Sequence, residues 1–171
     1  MSNPEINFKV LEIIRGTTVD GPGFRTSIYL AGCRHGCPGC QNPQSWCEDN
    51  GSLYSLQSIM EIVEEEDFNV TLSGGDPLYN PVSTQVLVEA LKKNRRNVWV
   101  YTGYTWEEIL SSEILLNAVR KADVLVDGPF IESQRNLDIP FRGSSNQRII
   151  LIKESLEAGE ILFHHSMTNC D

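Results

Sequence analysis

Arg25-Thr26-Ser27-Ile28-Tyr29-Leu30 runs through Ala31-Gly32 into Cys33-Arg34-His35-Gly36-Cys37-Pro38-Gly39-Cys40, so a strand-like segment leads straight into three cysteines in C-x3-C-x2-C spacing. Gly32, Gly36, Gly39 and Pro38 exclude a regular helix there. They favour a tight loop, because glycine reaches positive φ without steric cost and proline fixes its own φ. Three thiolates from one loop suit a metal better than a disulfide, which takes cysteines in pairs. A structural zinc needs a fourth ligand at short spacing, and Cys47 is an awkward candidate for it. An iron–sulfur cubane normally has four thiolates; held by three, it leaves one iron open to a small molecule, as catalytic zinc keeps one position open. Three unrelated reduced thiols are the remaining reading.

Working outward, the chain of 171 residues is expected to form a single domain, residues 1–171, with a sizeable core. Its 40% hydrophobic and 22% charged residues are those of an ordinary globular protein. No long apolar run and no signal-peptide core are found, so a cytoplasmic location is expected, where thiols stay reduced. Five cysteines, an odd count, also argue against a disulfide framework. A formal charge of -9 disfavours nucleic acid as a partner, since that affinity comes from Lys and Arg.

Phe8 to Ile14 reads as a first or edge strand, and Asp20-Gly21-Pro22-Gly23 as a turn before the strand Arg25 to Leu30. Ser55 caps a helix carrying Leu56, Ile59, Met60 and Val63 on one face, with Glu64, Glu65 and Glu66 as a solvated end. Phe68 to Leu72 is a strand ending in Ser73-Gly74-Gly75-Asp76-Pro77, followed by a helix from Val82 to Lys93 with Val82, Val86, Leu87, Ala90 and Leu91 on one side. Val98 to Thr102 is the next strand, and Thr105-Trp106-Glu107-Glu108 fits a capping box. Val124 to Val126 and Ile149 to Ile152 read as further strands, separated by Asp127-Gly128-Pro129 and Arg142-Gly143-Ser144-Ser145-Asn146-Gln147.

Strands alternating with helices imply an α/β fold with a mainly parallel sheet. The cysteine loop, Ser73 to Pro77, Thr102 to Tyr104 and Asp127 to Phe130 then all fall at the carboxyl edge, where such folds build their sites. A full eight-stranded barrel needs roughly 250 residues, so an incomplete, open parallel β/α barrel is expected. The Gly74-Gly75 pair lets a ligand approach the backbone, and Asp76 is an acceptor suited to an amine. Tyr101, Tyr104 and Trp106 are read as core or cofactor-stacking residues, and Asp127 as a substrate contact or a turn starter. His164 and His165 read as a surface pair rather than a metal site, His35 as solvent-facing, and Cys47 and Cys170 as non-ligand thiols.

These motifs, in order, resemble those of radical S-adenosylmethionine enzymes, with the C-x3-C-x2-C loop followed by a glycine-rich strand end closing in an acid. The nearer resemblance is to the anaerobic ribonucleoside-triphosphate reductase-activating proteins, which are glycyl-radical enzyme activases. It rests on Asp20 to Arg25, Cys33 to Cys40 with Asn42-Pro43, Leu72 to Leu78, Trp99 to Tyr104, Val124 to Gly128 and Arg142 to Gln147. The resemblance implies a 4Fe–4S cluster on Cys33, Cys37 and Cys40, which are thereby both the metal ligands and the catalytic centre. It further implies an S-adenosylmethionine site lined by Gly39, Gln41, Ser73, Gly74, Gly75 and Asp76.

The implied activity is reductive cleavage of S-adenosylmethionine and hydrogen abstraction from a glycine of the reductase large subunit, leaving a glycyl radical. A low-potential electron donor such as flavodoxin is implied with it. Neither nucleic acid nor a membrane is an expected partner. The alternatives are another small radical S-adenosylmethionine enzyme, such as a 7-carboxy-7-deazaguanine synthase or a pyruvate formate-lyase activator. A non-catalytic zinc module using Cys47 belongs to a different class.

Overall fold

The computed structural model describes residues 6–167; Cys170 lies outside them. A seven-stranded open sheet has the order β3-β1-β2-β4-β5-β6-β7. Its strands are β1 (Asn7–Thr17), β2 (Arg25–Leu30), β3 (Ser52–Ser55), β4 (Asn69–Gly74), β5 (Val98–Tyr101), β6 (Val124–Asp127) and β7 (Arg148–Leu151). The central strands β2, β4, β5 and β6 pair in parallel, while β1 is antiparallel to both β2 and β3, and β7 is antiparallel to β6. The connections explain the split. Parallel neighbours need a crossover element. Helices α1 (Leu56–Glu66), α2 (Pro81–Lys93), α3 (Trp106–Leu110) and α4 (Glu113–Val119) lie between the parallel strands, whereas the links from β1 to β2 and from β6 to β7 contain no α-helix. A further helix, α5 (Ile152–Ala158), follows β7.

The expected strands and helices stand, with shifts at their ends. Phe8 to Ile14 belongs to a longer strand that is not at the edge, because Ser52–Ser55, read only as the approach to a helix, adds a short strand outside it. On α2 the buried stripe is Thr84, Leu87, Val88 and Leu91, and Val82 is exposed. The local caps form as anticipated. Ser55 Oγ accepts from Ser58 N at 3.1 Å, and Thr105 and Glu108 make a reciprocal capping box. Glu65 and Glu66, read as a solvated end, pair with Arg15 at 2.9 and 3.0 Å.

Alternation along the strands divides the molecule into two sides. One face carries Ile28 and Leu30, Val70 and Leu72, Val98 and Val100, Leu125 and Ile150, packed with Ile59, Val63, Leu87, Leu91, Ile109 and Val119 of the helices. The alternate positions are Ser27 and Tyr29 on β2, Thr71 and Ser73 on β4, and Trp99 and Tyr101 on β5. A parallel sheet is ordinarily apolar on both faces. Here the second face is polar and aromatic along β2 and β4, with a small apolar cluster of Trp99, Val124, Val126 and Ile149 towards β7. That face, free of helices, carries the site.

Candidate functional site

The cysteine loop leaves β2 and folds onto the end of β4 through main-chain contacts. Gly75 N donates to Leu30 O at 2.7 Å, Asp76 N to Gly32 O at 2.8 Å, and Gly32 N to Ser45 O at 2.8 Å. A Cβ on Gly75 would lie 2.3 Å from Gly32 O and 2.8 Å from Ser45 O. The crossing of the loop is by itself enough to require glycine at Gly75. Gly36 and Gly39 take φ of 58° and 71°, values that residues with a Cβ rarely adopt. The side of Gly39 is filled by Glu132, whose Cδ would be 2.6 Å from a Cβ there.

Cys33, Cys37 and Cys40 are free thiols of intermediate exposure, and Cys47 is exposed. Burial, then the nearby Asp76, Cys37 and Cys40, push the Cys33 thiol up, against the lowering effect of the His35 amide at its sulfur. Three free thiols presented by one short loop are ligands for a cationic centre, which is what an iron–sulfur cluster provides. Among the described residues, no three His, Cys, Asp or Glu side chains close on a single-ion site. Three thiols of one loop, with Cys47 exposed apart from them, suit an iron–sulfur cluster better than a closed four-ligand zinc site. The donor set fits the cluster.

A cavity of about 1120 Å³ opens beside the loop. Cys40, Gln41, Ser73 and Gly74 line it, together with Asp20, Tyr29, Tyr101, Arg142 and Gln147. Its size lies just above the roughly 300–1,000 Å³ usual for a small-molecule site. Of the six residues expected to bind S-adenosylmethionine, Gln41, Ser73 and Gly74 reach the cavity wall, while Gly39, Gly75 and Asp76 are not part of that lining; of the three cluster cysteines, Cys40 alone lines it. Asn42, unassigned in the sequence, ties the two halves together, its N–H donating to Cys40 Sγ at 3.4 Å and its Nδ2 to Gly74 O at 3.3 Å. Only its place two residues after the third cysteine signals it.

Asp76, expected to meet an amine, is 2% exposed and turned inward. Its Oδ1 accepts from Leu78 N at 2.8 Å, and its Oδ2 from His35 Nε2 at 2.5 Å, Thr102 Oγ1 at 2.9 Å and Gly103 N at 3.0 Å. His35 is accordingly a half-buried partner of Asp76, not a solvent-facing residue, and the bond to Asp76 raises its pKa against the opposing effect of burial. Its ring meets Tyr104 edge-on, centroids 4.7 Å apart.

Other expectations resolve into structural roles. Asp127 is buried, its Oδ2 accepting from Trp106 N at 2.7 Å and Arg148 Nη2 at 2.5 Å, so it caps α3 and pairs with Arg148. Trp106 is core. Tyr101 lines the cavity and donates to Phe141 O at 2.8 Å. The Asp20 turn is bolted down by a relay in which Arg25 Nε donates to Thr71 Oγ1 at 2.7 Å and Thr71 Oγ1 to Asp20 O at 2.8 Å. Tyr29 donates to the Asp20 carboxylate. Burial, followed by this bond, pushes the Tyr29 phenol well above its ordinary range. His164 is buried against Trp99, centroids 5.2 Å apart, and so is not half of a surface pair.

With this geometry in place, likeness to known proteins is specific. A family described as a 4Fe-4S single cluster domain matches residues 19–150. The anaerobic ribonucleoside-triphosphate reductase-activating protein of Enterobacteria phage T4 is 35% identical over 141 residues, covering 77% of this chain and 86% of that one. The chain belongs to this family of reductase-activating proteins. Family members from Escherichia coli (strain K12) and Haemophilus influenzae are 31% and 33% identical, covering 75% and 77% of this chain and 89% and 90% of their own. The crystal structure of QueE from Escherichia coli overlaps 58% of this chain and 54% of its own, at 18% identity and a TM-score of 0.48; the strand order above stands without it. Among the described residues, no helix of this family member is long and apolar enough to cross a membrane.

Proposed function

We propose that this chain, as one domain in the cytoplasm, activates an anaerobic ribonucleoside-triphosphate reductase by abstracting hydrogen from a glycine of its large subunit. Cys33, Cys37 and Cys40 hold a 4Fe–4S cluster, and S-adenosylmethionine occupies the adjoining cavity. The observation that carries this reading is one cavity lined at once by the third cysteine, Cys40, with Gln41, and by the Ser73-Gly74 strand end. When bound, the cluster supplies an electron and S-adenosylmethionine the hydrogen-abstracting fragment, the reducing electron coming from a low-potential donor such as flavodoxin.

The chain's own residues orient and shelter that chemistry. Gln41, Ser73 and Gly74 present polar backbone and side-chain groups at the wall next to Cys40, while Gly75 and Asp76 hold the wall from behind. Gln147 knits the opposite wall, its Oε1 accepting from Gly143 N at 2.8 Å and its Nε2 donating to Gly128 O at 3.1 Å. Val19 and Leu137, 68% and 77% exposed, also border the cavity. A glycine-bearing partner docked over the cavity would cover both side chains.

The test is electron paramagnetic resonance on the reductase after anaerobic incubation with this protein, S-adenosylmethionine and a strong reductant. A doublet from the remaining α-hydrogen is expected, collapsing when the reductase carries α-deuterated glycine. If 5′-deoxyadenosine forms and no such signal develops, the substrate assignment fails.

A further inference from the structure

The Cys33–Cys40 loop is weakly held by its own backbone. The main-chain bonds found for it are Cys33 N to Trp46 O at 3.2 Å and Cys40 N to Cys37 O at 3.1 Å, and its middle contains Gly36 and Gly39 at positive φ. In that middle, His35 reaches across to Asp76, and Asp76 in turn grips Thr102 and Gly103 at the end of β5. The fit is close on the far side as well, since a Cβ on Gly103 would lie 2.5 Å from the His35 ring. The Asp76 carboxylate thus accepts from four donors of its own chain, two of them backbone amides, and is nearly inaccessible. A carboxylate satisfied in this way gains little by turning to an external amine, because every bond it abandons leaves a buried donor without a partner.

We infer that His35 and Asp76 form a latch fixing the cysteine loop to the carboxyl ends of β4 and β5, and that both are positioning residues rather than contacts of S-adenosylmethionine. The latch acts through the loop. With His35 held, the segment between Cys33 and Cys37 is pinned to the ends of β4 and β5 before a cluster arrives. The inference rests on the reading that these cysteines carry a cluster, but the latch itself is a property of the folded chain. It can be tested with and without iron.

The experiment compares the full-length wild type with His35→Ala, His35→Gln, Asp76→Asn and the double variant His35→Ala/Asp76→Asn, all prepared anaerobically. In iron-free protein, amide exchange across residues 33–40 and 102–104 is expected to accelerate in His35→Ala and Asp76→Asn alike. In reconstituted protein, cluster retention against an iron chelator should fall about 10-fold or more, by analogy with the loss of partners that orient metal ligands. The double variant should be no worse than the poorer single, and His35→Gln, which keeps a donor near Nε2, should recover most of the loss. S-adenosylmethionine affinity of the clusters that remain should stay within about threefold of wild type, less than the loss of a charged hydrogen bond would produce. Asp76→Asn with normal cluster retention and affinity lowered about 10-fold or more, beside an unaffected His35→Ala, would overturn the latch and make Asp76 an amine ligand. Additive effects of the two substitutions would also overturn it. If the wild type takes up no cluster, the function proposed above fails, and the exchange measurements alone decide on the latch.

Discussion

The cysteines and Gly75 separate chemistry from architecture at the scale of single residues. Cys33, Cys37 and Cys40 are free thiols of one loop, and each should be indispensable to the cluster. Replacing any of them with Ala is expected to abolish iron–sulfur absorbance, while Cys47→Ala, at an exposed site, keeps it; anaerobic absorption spectra and iron content check this. Gly75→Ala drives a Cβ into two carbonyl oxygens that cannot retreat, since both belong to backbone held in hydrogen bonds. Overpacking of this kind costs about 1–3 kcal/mol, measurable as a shift of the denaturation midpoint in cluster-free protein. Without a loss of stability, the crossing of the loop over β4 would be misplaced.

At the scale of elements, Asp127 joins β6 to α3 and β7. Its carboxylate serves the first amide of α3 and the guanidinium of Arg148, which Glu107 also holds at 2.8 Å. Asp127→Ala leaves the partly buried Arg148 with Glu107 as its remaining partner and the Trp106 amide without its acceptor, a loss of about 1–3 kcal/mol. Denaturation of the variant should reveal that loss, whereas a pure substrate contact would leave stability unchanged. The segment after α5 offers a pH test. Phe163 bridges to Ile150, and His164 N donates to Ile149 O at 2.8 Å, seating the imidazole against Trp99. Burial, and then His165, lower the His164 pKa from its ordinary 6.5. The unfolded chain therefore takes a proton that the folded chain refuses, and the contribution to stability, complete above the unfolded pKa, is lost as pH falls through the folded one. Thermal unfolding from about pH 8 to about pH 5 should show a decline that is shallower in His164→Phe.

For the whole molecule, the sheet has helices on one face and a site on the other, and the far wall of that site is the long β6–β7 connection. Gln147 closes this connection on itself with bonds to Gly143, Ser144 and Gly128. Gln147→Ala should speed amide exchange at Gly143 and Ser144, whose amides lose their acceptor, and weaken S-adenosylmethionine binding by loosening the wall of the cavity. Isothermal calorimetry on reconstituted protein measures the second effect. An unchanged affinity would place the cofactor on the cysteine side of the cavity alone.

Much of this was legible in the residues themselves. Local order carries its own signals: Arg25–Leu30 emerges as β2, the Thr105 capping box forms, and the glycines between Cys33 and Cys40 bend as positive-φ residues must. Those features depend on neighbours a few positions apart, so spacing alone determines them. What the tertiary structure decided lies between residues far apart in the chain. His35 and Asp76 are separated by 41 positions and Arg25 and Thr71 by 46, and no period or cap relates such pairs. Likewise β3 becomes a strand only because β1 offers it a free edge, and β7 turns antiparallel only because no helix carries the chain back. Asp76 makes the point most sharply. Its sequence context marks an acid at a strand end beside a metal loop, but whether that acid faces a ligand or its own chain depends on where three other strand and loop ends converge.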